Sequence, residues 1–215
     1  MIKSISEMEI SHDEQPIRLF KSDFLEFFTH VHPVVVLIIW LPVAAYFLLA
    51  EVARMDTGSS WLYLPVAFLL GIFVWTLTEY LMHRFVFHYH PQSPAAQKIF
   101  FMFHGVHHAQ PQCKTRLVMP PAASIPMAAI FIIGFYLVVG LLLGLPHWVG
   151  PLISGFTVGY VAYDMIHYAT HHLPMHGRVM KFLKRYHMLH HFKTPDMRYG
   201  VSSPLWDLVF KTDPD

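Results

Sequence analysis

The sequence is short of charge and almost without cysteine. Cys113 is the one cysteine in 215 residues, which excludes an intrachain disulfide and any cysteine-based zinc or iron–sulfur site. Charged side chains make up only 13% of the chain and the formal net charge is +1. That balance lacks the basic excess of a nucleic-acid binder, so no nucleic acid is expected as a partner, and there is no acidic tail. What stands in place of charge is apolar: 54% of the residues are hydrophobic, a membrane composition and not that of a soluble domain.

The uncharged stretches are long. No Asp, Glu, Lys or Arg occurs from Pro33 to Ala50, from Trp61 to Thr78, or over the 47 positions between Arg116 and Asp164. One crossing takes about 20 residues, so the first two stretches read as one span each. The third reads as two, with Gly144, Pro146, His147 and Trp148 turning between them. The expected fold is an all-α integral membrane protein with four transmembrane helices in two hairpins, at about 31–50, 61–81, 119–143 and 147–168. The chain is read as a single domain, 1–215, with a helical cap made from 82–116 and 172–215. Residues 1–30 lack the basic leader and apolar core of a signal peptide. Their stretch Arg18 to Phe28 mixes Phe20, Phe24, Leu25, Phe27 and Phe28 with Lys21, Asp23 and Glu26, a pattern for an interfacial helix.

Basic residues set the orientation. Three precede the first span, four lie between spans two and three, and seven follow span four, while the connection at 51–60 holds only Arg54. The positive-inside rule makes the richer face cytosolic, with both termini on it. A multi-pass protein so oriented belongs in the endoplasmic reticulum of a eukaryote or the inner membrane of a bacterium.

That same face carries every histidine cluster. Of 17 in the chain, ten fall into four motifs: His83 and His88 (HxxxxH), His104, His107 and His108 (HxxHH), His167 and His171 (HxxxH), and His187, His190 and His191 (HxxHH). Helix positions three and four apart share a face, so each HxxHH is expected to project three imidazoles toward one point and HxxxH two. Five residues overshoot the shared face, and His83 and His88 can converge only where the helix ends or bends between them. Ten neutral nitrogens supply about five to each of two divalent ions. Imidazole suits iron, copper, nickel and zinc alike; a closed structural zinc site needs only four ligands, so ten beside a membrane point to redox chemistry on a lipid substrate. Two metal ions are therefore expected, iron in the active protein, with zinc a possible occupant after purification. A metal transporter would spread ligands across the bilayer, and a haem cytochrome has no use for HxxHH.

Glu79 stands four residues before His83, and Asp164 three before His167. Each carboxylate is placed to accept the free N–H of its neighbouring imidazole and so orient the ligand. The basic run Arg178, Lys181, Lys184 and Arg185, interleaved with Val179, Phe182, Leu183 and Tyr186, suits an anionic leaflet or the docking of an acidic electron donor.

The motifs EYLMHRFVFH (79–88), HGVHH (104–108), RLVMPP (116–121), YDMIHYATHH (163–172), KRYHMLHH (184–191) and the final WDLVF resemble the fatty acid 2-hydroxylase family, within the fatty acid hydroxylase and sterol desaturase group, from about residue 60 onward. The resemblance implies the same ten metal ligands. It further implies that Tyr160, Tyr163 and Asp164 stand near a substrate channel with catalytic roles. The implied activity is monooxygenation, with molecular oxygen as co-substrate, at carbon 2 of a long-chain acyl lipid, free or in a sphingolipid or ceramide. The same fold acting on another lipid, as in a sterol oxidase, a sphingoid-base C4-hydroxylase or a carotenoid hydroxylase, is the alternative. Many family members carry a fused cytochrome b5 domain with an HPGG motif that does not occur here, which implies a separate electron donor such as cytochrome b5 or a ferredoxin-type protein. After WDLVF the family usually reads GT, whereas Lys211 stands in place of that glycine.

Overall fold

Every regular element in the computed structural model, which describes residues 9–56 and 60–214, is helical. Residues 1–8 of the expected N-terminal segment and 57–59 of the connection after the first span lie outside the described residues. The helices are α1 (Asp23–Phe27), α2 (Pro33–Val52), α3 (Tyr63–Met82), α4 (Pro94–Phe100), α5 (Val106–Ala109), α6 (Pro121–Phe135), α7 (Pro146–His172), α8 (Arg178–Phe192) and α9 (Leu205–Phe210). Wider π turns extend three of them, at His83–Phe87, Phe101–Gly105 and Tyr136–Leu142. Four helices begin on proline, whose missing N–H and fixed φ suit the first helical position.

Three of these helical stretches are long and apolar enough to cross a membrane: Pro33–Val52, Tyr63–Phe87 and Pro121–Leu142. The expected fourth span falls in α7, which has the length at 27 residues but carries Ser154, Thr157, Asp164, His167 and Thr170 among its apolar side chains.

The chain divides into two compact units. One comprises Val34–Trp75 and Met119–Ala162. Its helices α3 and α7 approach closely through glycines: a Cβ on Gly71 would stand 2.2 Å from the Leu152 carbonyl oxygen, and one on Gly155 would stand 1.9 Å from that of Phe68. Small residues at such crossings are what lets helices pack where no water drives them together. Side chains such as Ile38, Leu49, Ile130 and Leu141 point outward, as lipid-facing residues do. At one end Glu51 is buried, accepting from the Tyr63 hydroxyl at 3.0 Å with His147 at 3.3 Å.

The other unit comprises the described parts of Met1–Pro33, Thr76–Val118 and Tyr163–Asp215. The N-terminal segment is mostly a strap and not the continuous helix its composition suggests, because side chains capture its backbone. Gln110 accepts from Ile17 N–H and donates to the Gln15 carbonyl. Glu26 accepts from the N–H groups of Leu19 and Phe20 and from Arg116 at 2.6 Å. Burial opposes the charge on Glu26, but those two N–H groups, His30 and Arg116 outweigh it and bring its pKa down to about 2. Helix survives only over α1, where Phe24 and Phe27 stand exposed.

At the C-terminal end of α9, Lys211 adopts the left-handed conformation, φ 55° and ψ 42°. This is the position at which the family's glycine would sit without strain.

Candidate metal centre

Both histidine pairs and both triplets lie in the second unit. The HxxxxH pair converges through a π turn. The amide of His88 donates to the carbonyl of His83 at 3.0 Å, a five-residue closure that widens the helix, and the two Nε2 atoms stand 3.2 Å apart. A bend was required between them, and this is its form.

The triplets do not project three imidazoles to one point. His83, His88, His104, His108 and His190 form one group, and His107, His167, His171, His187 and His191 form another, with the ligand atoms in each group within 4.8 Å of one another. Each HxxHH is thus divided two to one. Helix geometry explains the division: at about 100° per residue, positions i and i+4 differ by about 40°, while i+3 lies about 100° away from i+4. His104 pairs with His108, and His187 with His191, and the middle histidine of each triplet crosses to the opposite group. His108 and His191 stack at 4.1 Å between ring centroids where the groups meet.

A cation fits the first group on two grounds, and the second of these holds for both groups. The first is the chemistry of the ring nitrogens in the first group. Nδ1 of His83 faces the Tyr199 carbonyl, and Nδ1 of His190 faces that of Met197 at 2.7 Å. A carbonyl only accepts, so each Nδ1 carries the proton and each Nε2 presents a bare lone pair to the shared centre. His190 Nε2 is buried there without a hydrogen-bond partner among the described residues. The second ground is distance. Two nitrogens at right angles around an ion about 2.1 Å away stand about 3 Å apart. Observed Nε2 separations are 3.1 Å for His83 and His104, 3.0 Å for His104 and His108, 2.9 Å for His107 and His167, 3.0 Å for His107 and His191, and 2.9 Å for His171 and His187.

Electrostatics keep these rings ready to ligate. Burial, and then the neighbouring imidazoles, hold His104, His107, His108, His187 and His191 below the ordinary imidazole range. His190 is lowered by burial to about 4, its carbonyl partner opposing the shift. All are neutral at pH 7, the form that binds metal.

The other expected site residues fall in different places. Tyr163 is buried with its ring stacked 5.8 Å from that of His167. Asp164 is buried in α7 one turn before His167. Tyr160 belongs to the first-described unit, packed edge-on against Trp40 and Trp75 beside an apolar pocket that Ser124, Phe131 and Phe156 also line. Glu79 does not take the His83 N–H. Its oxygens accept instead from Val201 and Ser202 N–H at 2.7 and 2.8 Å and from the Ser202 hydroxyl, and the Tyr199 carbonyl holds His83. His172 belongs to neither group. Sequence reasoning missed Met197, Tyr199 and Gly200, whose contributions are made by the backbone.

The fatty acid hydroxylase family model matches residues 68–212, which include all ten histidines. The chain belongs to the fatty acid hydroxylase family. It is 38% identical over 197 residues to a dihydroceramide fatty acyl 2-hydroxylase of Arabidopsis thaliana, covering 92% of this chain and 80% of that one. It is 39% identical to the ceramide very long chain fatty acid hydroxylase of Saccharomyces cerevisiae and 37% identical to the fatty acid 2-hydroxylase of Homo sapiens, spanning about half of each: 48% and 57%. The solved structure of scs7p, in which only the hydroxylase domain is visible, superposes with a TM-score of 0.79 at 35% identity, covering 97% of this chain and 81% of that one. The family read from the motifs is therefore the right one, and the apolar helices mark a membrane protein.

Proposed function

We propose that this chain is a membrane monooxygenase that inserts one oxygen atom at carbon 2 of long-chain acyl groups carried by sphingolipids. The observation that carries the reading is the pair of five-imidazole clusters in a chain similar over nine-tenths of its length to proteins named as fatty acyl 2-hydroxylases. The ten clustered histidines are the ligands of two iron ions, which zinc can replace during purification. When bound, the metal pair activates molecular oxygen. The protein's part is to hold neutral imidazoles in register and to present carbon 2, since positioning alone distinguishes it from equally strong C–H bonds along the chain.

In this reading residues 1–215 act as one hydroxylase domain with four spans in two hairpins, α7 supplying the fourth, and the clusters and termini on the cytosolic face. Tyr163 and Asp164 line the reaction chamber, and the cavity beside Tyr160 takes apolar acyl chain. Electrons come from an acidic donor, of cytochrome b5 or ferredoxin type, docking on the basic outer side of α8, where Arg178, Lys181 and Arg185 are exposed. The membrane is the endoplasmic reticulum in a eukaryotic cell and the inner membrane in a bacterial one.

Lipid extracts of cells expressing the chain should contain 2-hydroxy acyl chains that are absent from control cells and from cells expressing the His107→Ala variant. Unmodified ceramides beside newly hydroxylated sterols or sphingoid bases would overturn the substrate assignment.

A further inference from the structure

The segment 197–202 lies between two buried carboxylates and holds two clustered histidines. Its Met197 and Tyr199 carbonyls accept from Nδ1 of His190 and His83. Its amides point the other way: Tyr199 and Gly200 donate to Asp207 Oδ1 and Oδ2 at 2.8 and 2.7 Å, and Val201 and Ser202 donate to Glu79. Asp207 is fully buried. It also accepts from the Thr212 hydroxyl at 2.7 Å. That hydroxyl has spent its one proton, so the Tyr80 hydroxyl, 3.0 Å away, donates to it, and Arg84 donates to Tyr80 at 2.8 Å. Gly200 is fitted to the same clamp: a Cβ there would stand 2.0 Å from the Ser203 carbonyl and 2.9 Å from Asp207 Oδ2.

We propose that Asp207 is a positioning residue for the cluster of His83, His88, His104, His108 and His190, acting through the backbone of 197–202 to fix the proton-bearing sides of His83 and His190. The proposal rests on the reading of the clusters as metal sites. Its physical basis is that both carboxylate oxygens accept from main-chain N–H groups of adjacent residues, which sets the plane of the Tyr199–Gly200 peptide and hence the direction of the Tyr199 carbonyl. An asparagine here would turn one acceptor into a donor facing an N–H. The second cluster is held differently: Leu117 offers a backbone hydrogen bond to His167, while Nδ1 of His107, His187 and His191 are buried with no hydrogen-bond partner among the described residues.

The test is a Co2+ titration of the metal-free, detergent-solubilised full chain, with ions per chain counted by native mass spectrometry. The wild type should bind two ions. Asp207→Asn should weaken one of them by about 10–100-fold, the usual effect of losing a group that orients a ligand, and leave the other within threefold. In a background with His107, His167 and His171 changed to Ala, which dismantles the second cluster, the same change should weaken the remaining ion by the same factor. Thr212→Val should weaken the first cluster by a smaller factor and Thr212→Ser should not, and this pair decides the matter if Asp207→Asn fails to fold. Equal weakening of both ions would mark a general folding role and overturn the inference, as would two unchanged ions in Asp207→Asn or identical behaviour of the two Thr212 variants. A wild type that does not bind two ions overturns the underlying reading as well, so the two failures are distinguishable.

Discussion

The first cluster and the second hold five imidazoles each, but their outer sides are treated differently. In the first, the rings of His83 and His190 are pinned by carbonyls of one loop, which two carboxylates hold from behind. In the second, Leu117 offers a backbone hydrogen bond to His167, but the rings of His107, His187 and His191 have no such partner among the described residues, and packing orients them: α5, α7 and α8 bring them together, and stacking such as that of His108 on His191 fixes their planes. Ligands oriented by hydrogen bonds resist rotation and gain basicity. Ligands oriented by packing depend on the helices being in register. One centre therefore fails when a remote loop is disturbed, and the other when a helix shifts.

The largest expected effect tests whether the clusters are interdependent in function despite that difference. Changing His190 to Ala in the first cluster, or His171 to Ala in the second, should each reduce 2-hydroxylation in cells by more than about 100-fold. Substantial activity in one of the two variants would show that one cluster suffices, and would break the symmetry of their roles.

A smaller effect separates them by acid. His190 has a folded-state pKa of about 4, below the 6.5 of an exposed imidazole. The unfolded chain thus binds this proton first, so the group's contribution to stability is present above about pH 6.5 and is lost as the pH falls from there to about 4. Burial, and then the neighbouring imidazoles, also hold His187 and His191 well below the ordinary range, with no carbonyl among the described residues to oppose the shift. In metal-free protein followed by imidazole NMR, His190 should protonate before either of them. The reverse order would remove the distinction between pinned and unpinned rings.

The smallest effect lies beside the Asp207 clamp. Lys211→Gly relieves a left-handed lysine and should raise stability by about 0.5–1 kcal/mol in denaturant unfolding. The ratio of the two metal affinities should not change. Destabilisation would mean that the lysine side chain supplies more than its backbone costs.

Much of this was legible in the sequence, for reasons particular to each residue. His167 and His171, four apart on a regular helix, had to share a face. His83 and His88 announced a distortion but not its kind, because a π turn leaves no composition signal. The division of the triplets follows from the same helical angle that pairs i with i+4, and only counting three residues as one face concealed it. The carbonyls of Met197 and Tyr199 were not legible at all, since every residue has one and only the fold decides where it points. Asp207 could be singled out only as part of WDLVF, a family resemblance without a mechanism. Glu79 was read as a direct partner of His83 from its spacing, while the backbone amides of Val201 and Ser202 competed for it and won.

Diffraction at the iron absorption edge from crystals of the full chain tests the division of the histidines most directly. Two separate peaks are predicted, one bounded by His83, His88, His104, His108 and His190 and the other by His107, His167, His171, His187 and His191. A single peak, or a peak coordinated by His104, His107 and His108 together, would contradict the account.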